Sequence, residues 1–126
     1  MTPEQWLQLH FERCWPWLAA ALERQPIKTH EKEHVWQALE TGKAQIWPTK
    51  NSVCLTEIVK HPTGLTVMHG WLAGGDMDEI KKTVKAIEAH AAKIGCGACS
   101  ISGRKGWLRA FEGYQDAGTM MVKEIK

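Results

Sequence analysis

His30-Glu31-Lys32-Glu33-His34 spells HExxH, the pattern in which two histidines four apart on a helix bind zinc while the glutamate between them activates water. Such a site also needs a third protein ligand and a surrounding shell that orients the imidazoles. Here the segment is the charged first turn of a short helix, with Lys28 before it and Lys32 and Glu33 inside it. Acidic residues at a helix start are favoured by the backbone dipole alone, so a solvated helix face is the preferred reading and no metal is expected. Cys96-Gly97-Ala98-Cys99 is a CxxC. Redox CxxC motifs follow a strand and open a helix, whose N-terminus lowers the first thiol's pKa. This one leaves a helix and enters a strand, and it lacks the second CxxC of a zinc ribbon. Two small buried thiols are expected instead.

One continuous α/β pattern must position these groups. Thr2-Pro3-Glu4-Gln5 supplies an N-cap, a proline at the first helical position and a Gln that reaches back. The spacing predicts a helix from there to about Arg24, which Pro16 either kinks or divides. Thr29 is the expected cap of a second helix running to about Thr41, with Val35, Trp36 and Leu39 inward and Gly42 as its stop. The period then changes to that of strands: 44–47, 52–60 and 65–72, joined by turns at 48–51 and 61–64, read as an antiparallel meander. Asp76-Met77-Asp78-Glu79 is a capping-box pattern opening a helix with Ile80, Val84, Ile87 and Ala91 on one face and Gly95 at its end. A strand at 98–102, a helix from about Lys105 to Asp116 and a closing strand from Thr119 to Ile125 complete the chain.

The 126 residues suffice for one domain, 1–126, with a real core. Hydrophobic residues are 44%, charged residues 24% and the formal net charge +2, which makes no electrostatic case for nucleic acid. The longest apolar run, Trp15 to Leu22, contains Pro16 and is too short for a membrane span, and no signal-like segment precedes it. A cytoplasmic protein with reduced thiols is expected. Seven tryptophans in so short a chain leave some of them available at a protein interface, whether with another protein or in a homo-oligomer.

The order of elements resembles that of the GNAT superfamily of N-acetyltransferases, an α/β (α+β) fold. That fold has N-terminal helices, an antiparallel meander, then strand, helix, strand, helix and strand in a central mixed sheet. "LTVMHGWLAGGDMDEIKKTVKAIEAHAAKIGC", Leu65 to Cys96, is similar to the strand, loop and helix that receive the cofactor pyrophosphate in that family. "GRKGWLRAFEGYQDAGTMMVKEI" is similar to the second cofactor segment, with Ala110 and Tyr114 ahead of Gly118. The chain from Thr29 onward also resembles small GNAT-like proteins encoded by tailed bacteriophages, in Gly42 to Trp47 and in Gly103 to Trp107.

The resemblance implies acetyl-CoA as cofactor, held by Trp71, Leu72, Ala73, Gly74 and Gly75, and transfer of the acyl group to an unidentified amine. Tyr114 would protonate the departing thiolate, and a backbone N–H near Trp71 or Leu72 would hold the oxyanion. Glu57 and His69 fall on central strands as candidate bases. Alternation does not tell which face either uses, and Glu57 is the one chosen. The family's loop is Q/R-x-x-G-x-G/A, whose bare N–H groups cradle a pyrophosphate. In register with Gly75, this chain has Gly70 at the first position and Ala73 at the first glycine. Asp76, Asp78 and Glu79 add carboxylates that cap the helix and repel phosphate, so the loop reads as degenerate. The alternative implied by the phage resemblance is a virion or assembly component that uses the fold for contacts with phage or host proteins, without chemistry.

Overall fold

The computed structural model describes residues 1–103 and 106–126. Helix α1, Pro3–Glu23, starts as its sequence requires: Thr2 Oγ1 accepts from the Gln5 N–H at 3.1 Å, and Gln5 Oε1 accepts from the Thr2 N–H at 2.9 Å. Pro16 lies inside it, and the helix runs on as one element. The proline is exposed, so its missing hydrogen bond faces solvent, while buried Phe11, Cys14 and Leu18 hold the opposite side against the sheet. Helix α2, Lys32–Glu40, is capped by Glu31 rather than Thr29. It packs through Val35, Leu39 and Trp36, whose ring lies 5.3 Å from that of Phe11. Lys32 ties the two helices together, with Nζ 2.8 Å from Glu12 and 5.5 Å from the Trp15 ring.

Strands β1 (Ala44–Pro48), β2 (Ser52–Lys60), β3 (Thr66–Gly75) and β4 (Ala98–Ile101) form one sheet in the order β1-β2-β3-β4. The first three are antiparallel, as tight turns allow, and α3, Met77–Lys93, carries the chain across so that β4 runs parallel to β3. Helices α1 and α2 cover one face, against Val53, Leu55 and Leu72. Helix α3 covers the other, placing Ile80, Ile87 and Ala91 against Cys54 and Met68. Every residue from Ser52 to Thr56 is therefore buried, since both faces of this central stretch are covered.

The C-terminal part departs from expectation. Helix α4 is the single turn Trp107–Ala110; the start expected at Lys105 lies outside the described residues, and the continuation to Asp116 does not form. Phe111 leaves the helix at φ −116°, ψ 102° to bury its ring, and Gly113 follows in the left-handed region. Thr119 to Ile125 is irregular rather than a strand. Met120, Met121 and Ile125 are 84–89% exposed; without a neighbour to bond its backbone and a core to bury its apolar residues, such a segment does not make a strand. No helix among the described residues is long and apolar enough to cross a membrane.

Candidate active site

A break in the β2–β3 ladder organises the site. Thr56 is opposite Gly70 and Leu55 opposite Leu72, so Trp71 is an extra residue on β3, a bulge that re-aims side chains and leaves backbone groups outside the ladder. Next to it, β4 parts from β3. Their pairing runs from Val67 with Ala98 to Gly70 with Ile101, closed by a 3.0 Å bond from the Ser102 N–H to the Gly70 carbonyl. Beyond Gly70, β3 continues alone on that side to Gly75. A cleft of about 280 Å³ opens there, lined by Arg24, Pro26, Trp71, Ala73, Ser102 and Trp107 among others.

Strand alternation places the polar groups around it. Leu55 faces the helices α1 and α2, so Glu57, two residues on, shares that face, and His69 lies directly opposite Glu57 in the register. On β4, Cys99 and Ile101 pack toward α3, leaving Ser100 and Ser102 beside His69. His69 Nδ1 is 2.7 Å from Ser100 Oγ, and Nε2 is 3.0 Å from Ser102 Oγ. A neutral imidazole has one N–H and one lone pair, so one serine accepts and the other donates. Burial lowers the His69 pKa, against the charge of Glu57, which raises it. The ring is thus neutral at pH 7, the state a base requires.

Glu57, the base chosen from sequence, stands behind this imidazole, whereas the strand pairing makes His69 the group joined to the cleft through Ser102. The signal was present in the sequence: Ser100 and Ser102 are two apart on a strand and must share a face, and only the parallel register sets them against His69.

Of the residues proposed to hold a cofactor, Trp71, Leu72 and Ala73 line the cleft, and Gly74 and Gly75 have other work. A Cβ on Gly74 would come within 2.9 Å of the Trp17 Cβ, and Gly75 has φ +104° against the backbone of Asn51. The start of α3 is also occupied. The Asp76 N–H donates to the Asn51 carbonyl at 2.8 Å, Asp76 Oδ2 accepts from the Glu79 N–H at 3.0 Å, and Glu79 Oε1 accepts from the Asn51 N–H at 2.9 Å. That bond from Asn51, with help from Thr49, holds the Glu79 carboxyl below its ordinary pKa.

Tyr114 is on the other side of the sheet from Glu57. Its hydroxyl donates to Glu88 on α3 at 2.7 Å, and burial, then Glu88, push its pKa upward. The structure does not bring Tyr114 and Glu57 together on one face.

The histidines of HExxH have separate tasks. His30 precedes α2, with Nδ1 2.7 Å from Thr29 Oγ1 and its ring 4.8 Å from that of Trp71. His34 Nδ1 accepts from the Glu31 N–H at 2.9 Å, closing the helix start. Their ring centroids are 6.4 Å apart. Cys96 and Cys99 are thiols, half-buried rather than fully buried, and it is Cys14 and Cys54 that lie in the core. Burial raises Cys54 to about 12.

No protein-family model matches the chain, and no curated protein matches its sequence. Its backbone is similar to that of a ribosomal-protein-alanine N-acetyltransferase from Brucella melitensis biovar Abortus 2308. The TM-score is 0.64 at 12% identity, over 94% of this chain and 95% of the other. An acetyltransferase from Trypanosoma brucei gives a TM-score of 0.64 at 14% identity, over 98% and 96%. Glucosamine-6-phosphate N-acetyltransferase from Arabidopsis thaliana gives 0.60 at 13%, over 85% and 88%. With its N-terminal helices and four-stranded mixed sheet, the chain has the GNAT-like fold of these N-acetyltransferases.

Proposed function

We propose that this protein is an N-acyltransferase that moves an acyl group from a coenzyme A thioester to an amine. The observation that carries the reading is the coincidence, at one point of β3, of the Trp71 bulge, the parting of β3 from β4, and a neutral His69. The cleft along the lone β3 edge fits the thioester end of the cofactor, which supplies the activated acyl group. The diphosphate does not fit the turn before α3, where Asp76 caps the helix and the Asn51 backbone fills the space.

In this reading His69 accepts the amine proton at Nε2, directly or through the Ser102 hydroxyl. A backbone N–H near Trp71 or Leu72 holds the oxyanion, Trp71 being the residue left out of the β2–β3 register. Glu57 stabilises the imidazolium as it forms. Tyr114, which the resemblance makes the donor to the departing thiolate, would have to exchange its bond to Glu88 on the α3 side for one into the cleft to act so; Tyr114→Phe should then lower turnover and leave cofactor binding intact, and an unchanged turnover removes it from the reaction.

The filled turn before α3 favours a second reading, in which a phage-encoded protein keeps this fold as a virion or assembly component and binds phage or host proteins. Calorimetric titration with acetyl-CoA, with CoA for comparison, separates the two. Micromolar binding supports the acyltransferase and justifies a screen of amines. Absence of heat at millimolar cofactor removes it and leaves the binding role.

A further inference from the structure

The hydrogen bonds of His69 describe more than a base. When Nδ1–H donates to Ser100 Oγ at 2.7 Å, the Nε2 lone pair is left to accept the Ser102 hydroxyl proton at 3.0 Å. A hydroxyl bonded to a base that a third group orients is the arrangement of an activated nucleophile. Ser102 is exposed and lines the same cleft as Trp71, Leu72 and Ala73. It therefore lies beside the bulge, where Trp71, outside the β2–β3 register, can offer its backbone N–H to a developing oxyanion. We infer that Ser102 is a nucleophile and that the protein hydrolyses small acyl esters through an acyl-serine.

The steps need no coenzyme. Ser102 Oγ attacks the ester carbonyl carbon as its proton passes to His69 Nε2, forming a tetrahedral oxyanion. This collapses, the bond to the alcohol oxygen breaks, and His69 returns the proton to the alcohol. Water then attacks the acyl-serine, gives a proton to His69, and the second collapse releases the carboxylic acid while Ser102 regains its proton. The cleft, about 280 Å³ and walled by Trp71, Trp107 and Pro26, is at the small end of ligand sites, which suits a short acyl group. Ser100 touches no substrate and is a positioning residue.

The test uses p-nitrophenyl acetate and the full chain, and it does not depend on coenzyme binding or amine transfer. Ser102→Ala and His69→Ala are each expected to lower kcat/KM by roughly 10²-fold or more. Ser100→Ala should lower kcat with KM unchanged and be rescued by Ser100→Thr. Diisopropyl fluorophosphate should form an adduct on the peptide containing Ser102, and only when His69 is present. Circular dichroism confirms that each variant is folded. Hydrolysis that survives Ser102→Ala overturns the inference even if His69→Ala abolishes it, because the imidazole would then act on water alone. An adduct elsewhere, or none on folded protein, overturns it as well.

Discussion

His69 is held between opposing influences. Partial burial favours the neutral ring, and the Glu57 carboxylate across the strand pair favours the charged one; burial prevails and the pKa falls below its ordinary 6.5. Folding therefore releases protons from this residue. Its contribution to stability is fully present above about 6.5 and is lost as pH falls toward the lower native value. Glu57 is the charged group facing it, so Glu57→Gln should lower the His69 pKa further. Titration of the imidazole resonances by NMR checks both statements, and an upward shift in Glu57→Gln would refute the assignment. The same logic makes Cys54, pushed to about 12 by burial, inert to thiol reagents in the folded protein.

At the level of elements, the junction between β3 and α3 is built for structure. Asp76 satisfies an N–H of the first helical turn, and Gly75 takes a positive φ where a side chain would strike the Asn51 backbone. Removing the cap with Asp76→Ala should cost about 1 kcal/mol. Gly75→Ala should cost at least as much, about 1–3 kcal/mol from the backbone conformation alone, before any displacement of the β1–β2 turn. Urea unfolding measures both. Unchanged midpoints would mean that the turn does not anchor the helix, and would return these residues to consideration as a ligand loop. The bulge at Trp71 works the other way: it gives up ladder pairing in the middle of a central strand, where a stability-driven sheet would be regular.

Across the whole molecule, two apolar layers share one sheet, and β2 belongs to both because Val53 and Leu55 face α1 and α2 while Cys54 faces α3. Unfolding should therefore be a single transition. Leu18→Ala, at a fully buried position of α1, should cost about 2–5 kcal/mol. Ile87→Ala on α3, also buried, should fall in the same range. Circular dichroism and tryptophan fluorescence should report the same midpoint in each variant. Separate transitions would show that the layers fold independently and that the site between β3 and β4 is supported by only one of them.

What the sequence determined by itself is what depends on near neighbours. The Thr2–Gln5 cap, the limits of β2, the Asp76 cap and the turn at Gly64 are all set by residues a few positions apart, and each was legible. So was the order of elements from α1 to β4, because the hydrophobic period changes sharply at Gly42 and again at Asp76. Tertiary structure decided the rest. His30 and His34 share a helix only if the cap is at Thr29, and α2 is instead capped at Glu31, where His34 Nδ1 accepts from the Glu31 N–H and His30 is left outside the helix. Glu57 and His69 came onto one face with Ser100 and Ser102 because of a register between strands that are distant in sequence. Tyr114 was drawn to Glu88, 26 residues away, and the strand expected from Thr119 to Ile125 does not form. A strand's pattern specifies which residues share a face; only its neighbours specify which residues of other strands meet them there.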